Sequence, residues 1–200
     1  MARQILILIV CSFLASCAEM QVKRDIGHAH EVQQYIAATA SGKPFEPASL
    51  CAPSPAFKAW ATFEFSQTST IYSLPNGINA EATCLTIPAG AKAIELHGMG
   101  SQSGLTYHEA TAIHPSILFL DKDYKTVVDL QQPRLSAGEG LFTGLGVSGI
   151  VPLVTKLSMA KYAVIYIHPK STDGAIEVYT NKTIPVPYGP YGTVRARFFE

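Results

Sequence analysis

The chain lacks an excess of either charge: fifteen Lys and Arg stand against fifteen Asp and Glu, for a formal net charge of +0. With no basic field to draw in a polyanion, nucleic-acid binding is excluded. No apolar run reaches the roughly 20 residues that cross a bilayer; the run from Ile5 to Leu14 stops well short. Cysteine is scarce, at four, and no pair has CxxC spacing, which removes thioredoxin-like and zinc chemistry. There is no GxSxG elbow, no HExxH pair, no Walker loop, and no GxGxxG that opens a helix. Asp121-Lys122-Asp123 begins like a calcium loop but fails as an EF-hand: Lys125 and Thr126 hold the fifth and sixth positions, and Gln132 replaces the closing glutamate. A turn capped by aspartates accounts for it better.

What is present begins at the first residues. Arg3 supplies a positive start, Ile5 to Leu14 an apolar centre, and Ala15 and Ser16 small residues, the three parts of a secretory signal. A plain signal does not demand a cysteine next. Here Leu14-Ala15-Ser16-Cys17 resembles a bacterial lipobox, in which the cysteine thiol is diacylated, cleavage falls before it, and its new amine is usually acylated. Three chains exceed the two signals that stable anchoring needs. Ala18, where an aspartate would favour inner-membrane retention, points by resemblance to enterobacterial sorting rules to the outer membrane. The expected address is therefore the periplasm, with Cys17 as lipid anchor. Cys11 leaves with the signal, so Cys51 and Cys84 remain in an oxidising compartment, where they either pair or stay as two buried thiols. A bridge would close a loop of about 33 residues and contribute roughly 3–4 kcal/mol in the chain-entropy model.

Residues 17–30 are polar and read as a tether. His28-Ala29-His30 offers two nitrogen ligands and no third, a poor metal site beside a solvated linker. Val32, Tyr35, Ile36 and Thr39 recur at helical spacing, and Ser41-Gly42 with Pro44 stops the pattern, so the periodicity predicts one short helix over Glu31 to Ala40. Residues 42–58 form a proline-rich loop. From Trp60 the period changes to two. Strands are expected at 60–65, 71–74, 81–87, 93–96, 117–120, 126–130, 150–154, 163–167, 175–180 and 193–199. Ile117 to Leu120 is apolar throughout, as in a strand buried on both faces. Gly98 to Thr106 reads as a loop, and Gly138 to Ser148 as a glycine-rich connection. Val194, Ala196 and Phe198 should face the core, with Arg195 and Arg197 in solvent. Thirteen prolines and fifteen glycines agree with strands and turns. The prediction is a mainly β fold, an antiparallel β-sandwich of jelly-roll or Ig-like type with one short N-terminal helix. It divides into a signal peptide (1–16), a tether (17–30), a helix and proline-rich loop (31–58) and the sandwich domain (59–200).

Trp60 and the run Tyr188-Gly189-Pro190-Tyr191-Gly192 could offer flat faces to sugar rings; the alternative is that all three rings pack the body. His97, His108, His114 and His168 are scattered. His114 and His168 precede prolines at strand edges, where a structural role is the commoner one. No catalytic residue, metal or cofactor is implied, although carboxylates paired in space are invisible to spacing in sequence.

The order of Pro47 to Phe57, Phe63-Glu64-Phe65, Ile71-Tyr72-Ser73-Leu74-Pro75-Asn76-Gly77, Leu85-Thr86-Ile87-Pro88, His114-Pro115-Ser116-Ile117-Leu118-Phe119-Leu120-Asp121 and Lys161-Tyr162-Ala163-Val164-Ile165-Tyr166 resembles the maltose operon periplasmic protein (MalM-like) family over about residues 47–199. The chain is shorter than members of that family. Where they carry two adjacent cysteines it has Cys51 alone, which favours Cys84 as its partner. The resemblance implies an envelope protein associated with maltodextrin transport and without an established catalytic activity; it carries over no binding residue. Taken together, a non-enzymatic envelope lipoprotein is expected, binding maltodextrin, another glycan or an envelope protein. The competing expectation is a structural or assembly module of the outer membrane with no sugar ligand.

Overall fold

The computed structural model describes residues 25, 27–100, 111–131, 133–138, 146–179 and 183–200. Cys17 and the expected signal lie outside them, as do 101–106 and 139–145 of the two glycine-rich stretches. Helix α1 covers residues 27–38 and so takes in 27–30 of the expected tether. A short helix α2 (Pro47–Leu50) follows β1 (Lys43–Pro44) and leads into β2 (Cys51–Ala52). Then come β3 (Ala61–Phe65), β4 (Ile71–Ser73), β5 (Asn79–Thr86), β6 (Ala93–Gly100), β7 (Ser116–Leu120), β8 (Thr126–Leu130), β9 (Ser136–Gly138), β10 (Gly146–Pro152), β11 (Tyr162–Tyr166), β12 (Ala175–Tyr179), β13 (Thr183–Pro187) and β14 (Gly192–Phe199).

These strands form the expected β-sandwich. A seven-stranded sheet runs β1-β4-β5-β11-β7-β8, with β2 added beside β5; a five-stranded sheet runs β3-β14-β6-β10-β9; β12 and β13 make a separate hairpin. All pairings are antiparallel except β1 on β4 and β2 on β5. Alternation decides which side chains meet. Phe65, Ile94, Leu96, Val194, Ala196 and Phe198 from the smaller sheet pack against Leu85, Ile117, Phe119, Ala163 and Ile165 from the larger. Burying each large side chain contributes about 1.5–3 kcal/mol.

The larger sheet is covered on its outer face as well. Leu118, Leu120, Val164 and Cys84 point away from the main core into a second cluster, closed by Phe45, Cys51 and Tyr72. This is why β7 has no polar alternation: all five of its residues are buried. The proline-rich segment is a lid on that face, held by the Cys51–Cys84 disulfide, whose S–S distance is 1.98 Å.

The turn at Pro75-Asn76-Gly77 forms as its residues require. Gly77 N–H donates to Leu74 O at 2.9 Å, and Gly77 has φ +80, the left-handed region where glycine carries no steric penalty. At the β7–β8 turn, Asp121 Oδ1 accepts from the N–H groups of Asp123 (2.8 Å) and Lys125 (3.0 Å), an aspartate-capped turn.

Candidate functional site

The outer face of the five-stranded sheet carries the polar and aromatic row that the core does not use. Ala61 pairs with Ala196 on β14, so Trp60, one residue earlier, comes beside Arg197; Arg197 in turn pairs with Glu95 on β6. The Arg197 guanidinium carbon lies 4.2 Å from the centre of the Trp60 ring and 5.0 Å from that of Phe199. Its Nε donates to Glu95 Oε2 at 2.5 Å, and the other carboxylate oxygen, Oε1, lies 3.2 Å from His97 Nε2. The His97 ring centre is 4.8 Å from that of Trp60. Arg195 pairs with His97 across the sheet, and its buried Nε has no hydrogen-bond partner. Arg195 and Arg197 are thus half-buried rather than free in solvent; Trp60, Phe199 and Glu95 cover Arg197. Beyond Glu95, Ile150 on β10 stands 61% exposed. The row combines a tryptophan edge, a cation, a carboxylate and an imidazole, a set suited to binding a flat, partly polar surface.

The three aromatic residues singled out from sequence are not brought together. Tyr191 precedes β14 and Arg197 lies near its far end, about 20 Å away along an extended strand. The Tyr191 ring meets Tyr35 edge-on, with centres 5.9 Å apart. Tyr188 meets His114 edge-on at 5.0 Å, and its N–H donates to Gly174 O. Burial pushes both phenols above their ordinary pKa. Tyr188 and Tyr191 therefore pack their loop onto the body, and Trp60 alone belongs to the open face.

Two polar clusters escape the sequence reading. On the outer face of the larger sheet, Asp129 accepts from Tyr166 Oη (2.7 Å), Asn76 Nδ2 (3.1 Å) and Gln131 Nε2 (3.1 Å), while Ser116 Oγ donates to Gln131 O. Burial, reinforced by Asp129, pushes the Tyr166 phenol up. At the end of the main core, Glu81 is 5% exposed. Its Oε1 accepts from Ser66 N–H at 3.1 Å, and Oε2 has no partner. Burial raises its pKa from 4.5 to about 7, partly offset by hydrogen bonds from Ser69 and Ser66. A signal for Glu81 was available: it shares the inward register of β5 with Leu85, where a charge is out of place.

Of the other histidines singled out from sequence, His114 and His168 take structural places, and His108 lies outside the described residues. His168 Nδ1 accepts from Lys170 N–H at 3.0 Å, capping the turn Pro169–Asp173. His114 is buried, which lowers its pKa, and its Nδ1 has no partner. His30 Nε2 lies 2.8 Å from Gln34 Nε2, one turn on. Among the described residues, no group of three or more His, Cys, Asp or Glu is placed to hold a metal ion, and no helix is long and apolar enough to cross a membrane. No protein-family model matches the chain, and no curated protein sequence does either.

Proposed function

We propose that this chain is a non-enzymatic lipoprotein of the bacterial envelope, held in the periplasm on the outer membrane by lipid on Cys17. Its sandwich works by binding a glycan, maltodextrin first, as an accessory to carbohydrate transport. The Leu14-Ala15-Ser16-Cys17 sequence supports the address, and the Cys51–Cys84 bridge supports an oxidising compartment. The observation that carries the binding reading is the row Trp60–Arg197–Glu95–His97 on the outer sheet face, where an aromatic ring adjoins three polar groups. Stacking with a few hydrogen bonds gives weak affinity.

Trp60 is the sole tryptophan, so its fluorescence reports on this face alone. Titration with maltodextrins should shift its emission with a millimolar midpoint; a flat response at millimolar sugar counts against the glycan. Cys17→Ser should release the protein from the membrane fraction and remove acyl mass from its amino end; unchanged fractionation sinks the address.

A second reading, an assembly module with no sugar ligand, is favoured by the exposed apolar residues Ile150, Val154 and Met159, at 61%, 61% and 66%. Cross-linking in cells that captures one envelope protein, without any glycan response, selects it.

A further inference from the structure

Among the described residues of α1, Tyr35 is the one that is buried, at 1% exposure. Its hydroxyl donates to Ile167 O at 2.6 Å, and its ring meets Tyr191 edge-on. Beside it sits the Glu81 carboxyl with its unpartnered Oε2. Peptide 167 ties the two residues together: Ile167 N–H donates to Glu81 O at 3.3 Å while its own carbonyl accepts from Tyr35. The helix is thus seated over a buried acid that has one oxygen without a donor. An ionised carboxylate in such a place loses its solvation without replacement, and the neutral acid loses much less.

We propose that Glu81 is a pH-dependent latch on helix α1: the neutral carboxyl lets Tyr35 stay seated between Ile167 and Tyr191, and loss of its proton loosens that seat. The groups that face it are Tyr35 from α1, Tyr191 from the loop before β14, and Ser66 and Ser69 from the turn after β3. Glu31, also on α1, acts on Tyr191 and adds negative charge to the same end. The serines lower the Glu81 pKa, but burial outweighs them and leaves it at about 7 against the ordinary 4.5 of a solvated glutamate. The raised value fixes the sign. Docking is strongest below about 4.5, weakens as pH rises toward about 7, and changes no further above it. The latch does not depend on what the outer sheet face binds. If Cys17 is lipidated, unlatching also lengthens the reach of the sandwich from the membrane.

Native-state hydrogen exchange on the full chain tests the latch. Protection factors of the α1 amides, corrected for intrinsic exchange, should fall roughly 30-fold between about pH 5.5 and 8.5, the ratio that linkage gives for these two pKa values. Glu81→Gln, which keeps the shape and cannot ionise, should abolish that fall. Unchanged wild-type protection across this range overturns the proposal, as does a Glu81→Gln variant that keeps the wild-type slope. Should the variant not fold, the carboxyl ¹³C shift of Glu81 in the unaltered chain decides: a midpoint near 7 supports the latch, and one near 4.5 overturns it.

Discussion

Asp129 accepts hydrogen bonds from three side chains that come from different parts of the chain. Tyr166 is fully buried, so its hydroxyl depends on that carboxylate. Asp129→Ala should therefore cost about 1–3 kcal/mol in urea denaturation, the penalty for stranding a buried donor. Tyr166→Phe removes the donor itself and should cost less. The two changes together should cost less than their sum, since the second removes what the first leaves unpaired; strict additivity would mean that the bond contributes nothing. At the Trp60 stack the expected effect is smaller. Arg197→Ala should lower stability by about 1–2 kcal/mol, because a half-buried guanidinium is lost to both the Trp60 ring and the Glu95 carboxylate, and it should also shift Trp60 emission. From sequence Trp60 was open between a core ring and a ring offered to a ligand; in the fold it is half-buried beside Arg197 on the outer sheet face. Arg197, Glu95 and His97 were not legible as its neighbours, because cross-strand register between β3, β14 and β6 creates the row and no local spacing encodes it.

Elements were most legible where one face is core and the other is not. The strand from Gly192 to Phe199 lies within a residue of its expected span, because Val194, Ala196 and Phe198 alternate with charged or polar residues. The β7–β8 hairpin followed from an apolar run, an aspartate turn and a returning run. Strands of unusual composition did not show. No strand was expected over Thr183–Pro187, which holds Pro185 and Pro187; β13 pairs with β12 alone among the strands, so the missing N–H groups lie at an edge. Gly98 and Gly100 suggested a loop, but both stand inside β6. There the backbone at 111–113 crosses directly above: an added Cβ would lie 2.1 Å from Ile113 O at Gly98 and 1.8 Å from Thr111 O at Gly100. The glycines serve close approach rather than flexibility. Gly100→Ala should then destabilise by about 3 kcal/mol or more, beyond the usual cost of overpacking because the obstacle is backbone; a loss under about 1 kcal/mol would show that the crossing segment yields easily. The proline-rich segment, expected as a loop, carries only the short β1, α2 and β2 and is likewise fixed in place. Reducing Cys51–Cys84 should cost roughly 3–4 kcal/mol for a loop of this length. It should also expose Leu118, Leu120 and Val164 to an apolar dye well before the main core opens, because the bridge holds the cover over them.

Across the whole molecule, stability against pH combines groups that pull in opposite directions. His114 and His168 have pKa values lowered by burial. A lowered histidine value means that the folded state prefers the neutral ring, so their contribution is complete above about 6.5 and is lost as pH falls below it. Glu81 acts the other way, its contribution complete below about 4.5 and lost as pH rises through about 7. The two slopes overlap between these values, so the wild-type profile alone cannot assign either. The difference between Glu81→Gln and wild type can, because the histidine contribution is common to both and cancels. That difference should grow by about 3 kcal/mol in favour of the variant as pH rises from 4.5 to about 7, then stay level, since each pKa unit corresponds to about 1.4 kcal/mol. Urea unfolding at successive pH values reads it, and parallel profiles for the two proteins would show that Glu81 titrates alike folded and unfolded. The same measurement bears on the helix latch. On the latch proposal, undocking of α1 exposes Glu81 as global unfolding does, so the part of each pH slope that Glu81→Gln removes should be the same, while the histidine part belongs to global unfolding alone. Amides of β7 and β11, buried between two apolar clusters, should follow the global slope alone, at much higher protection.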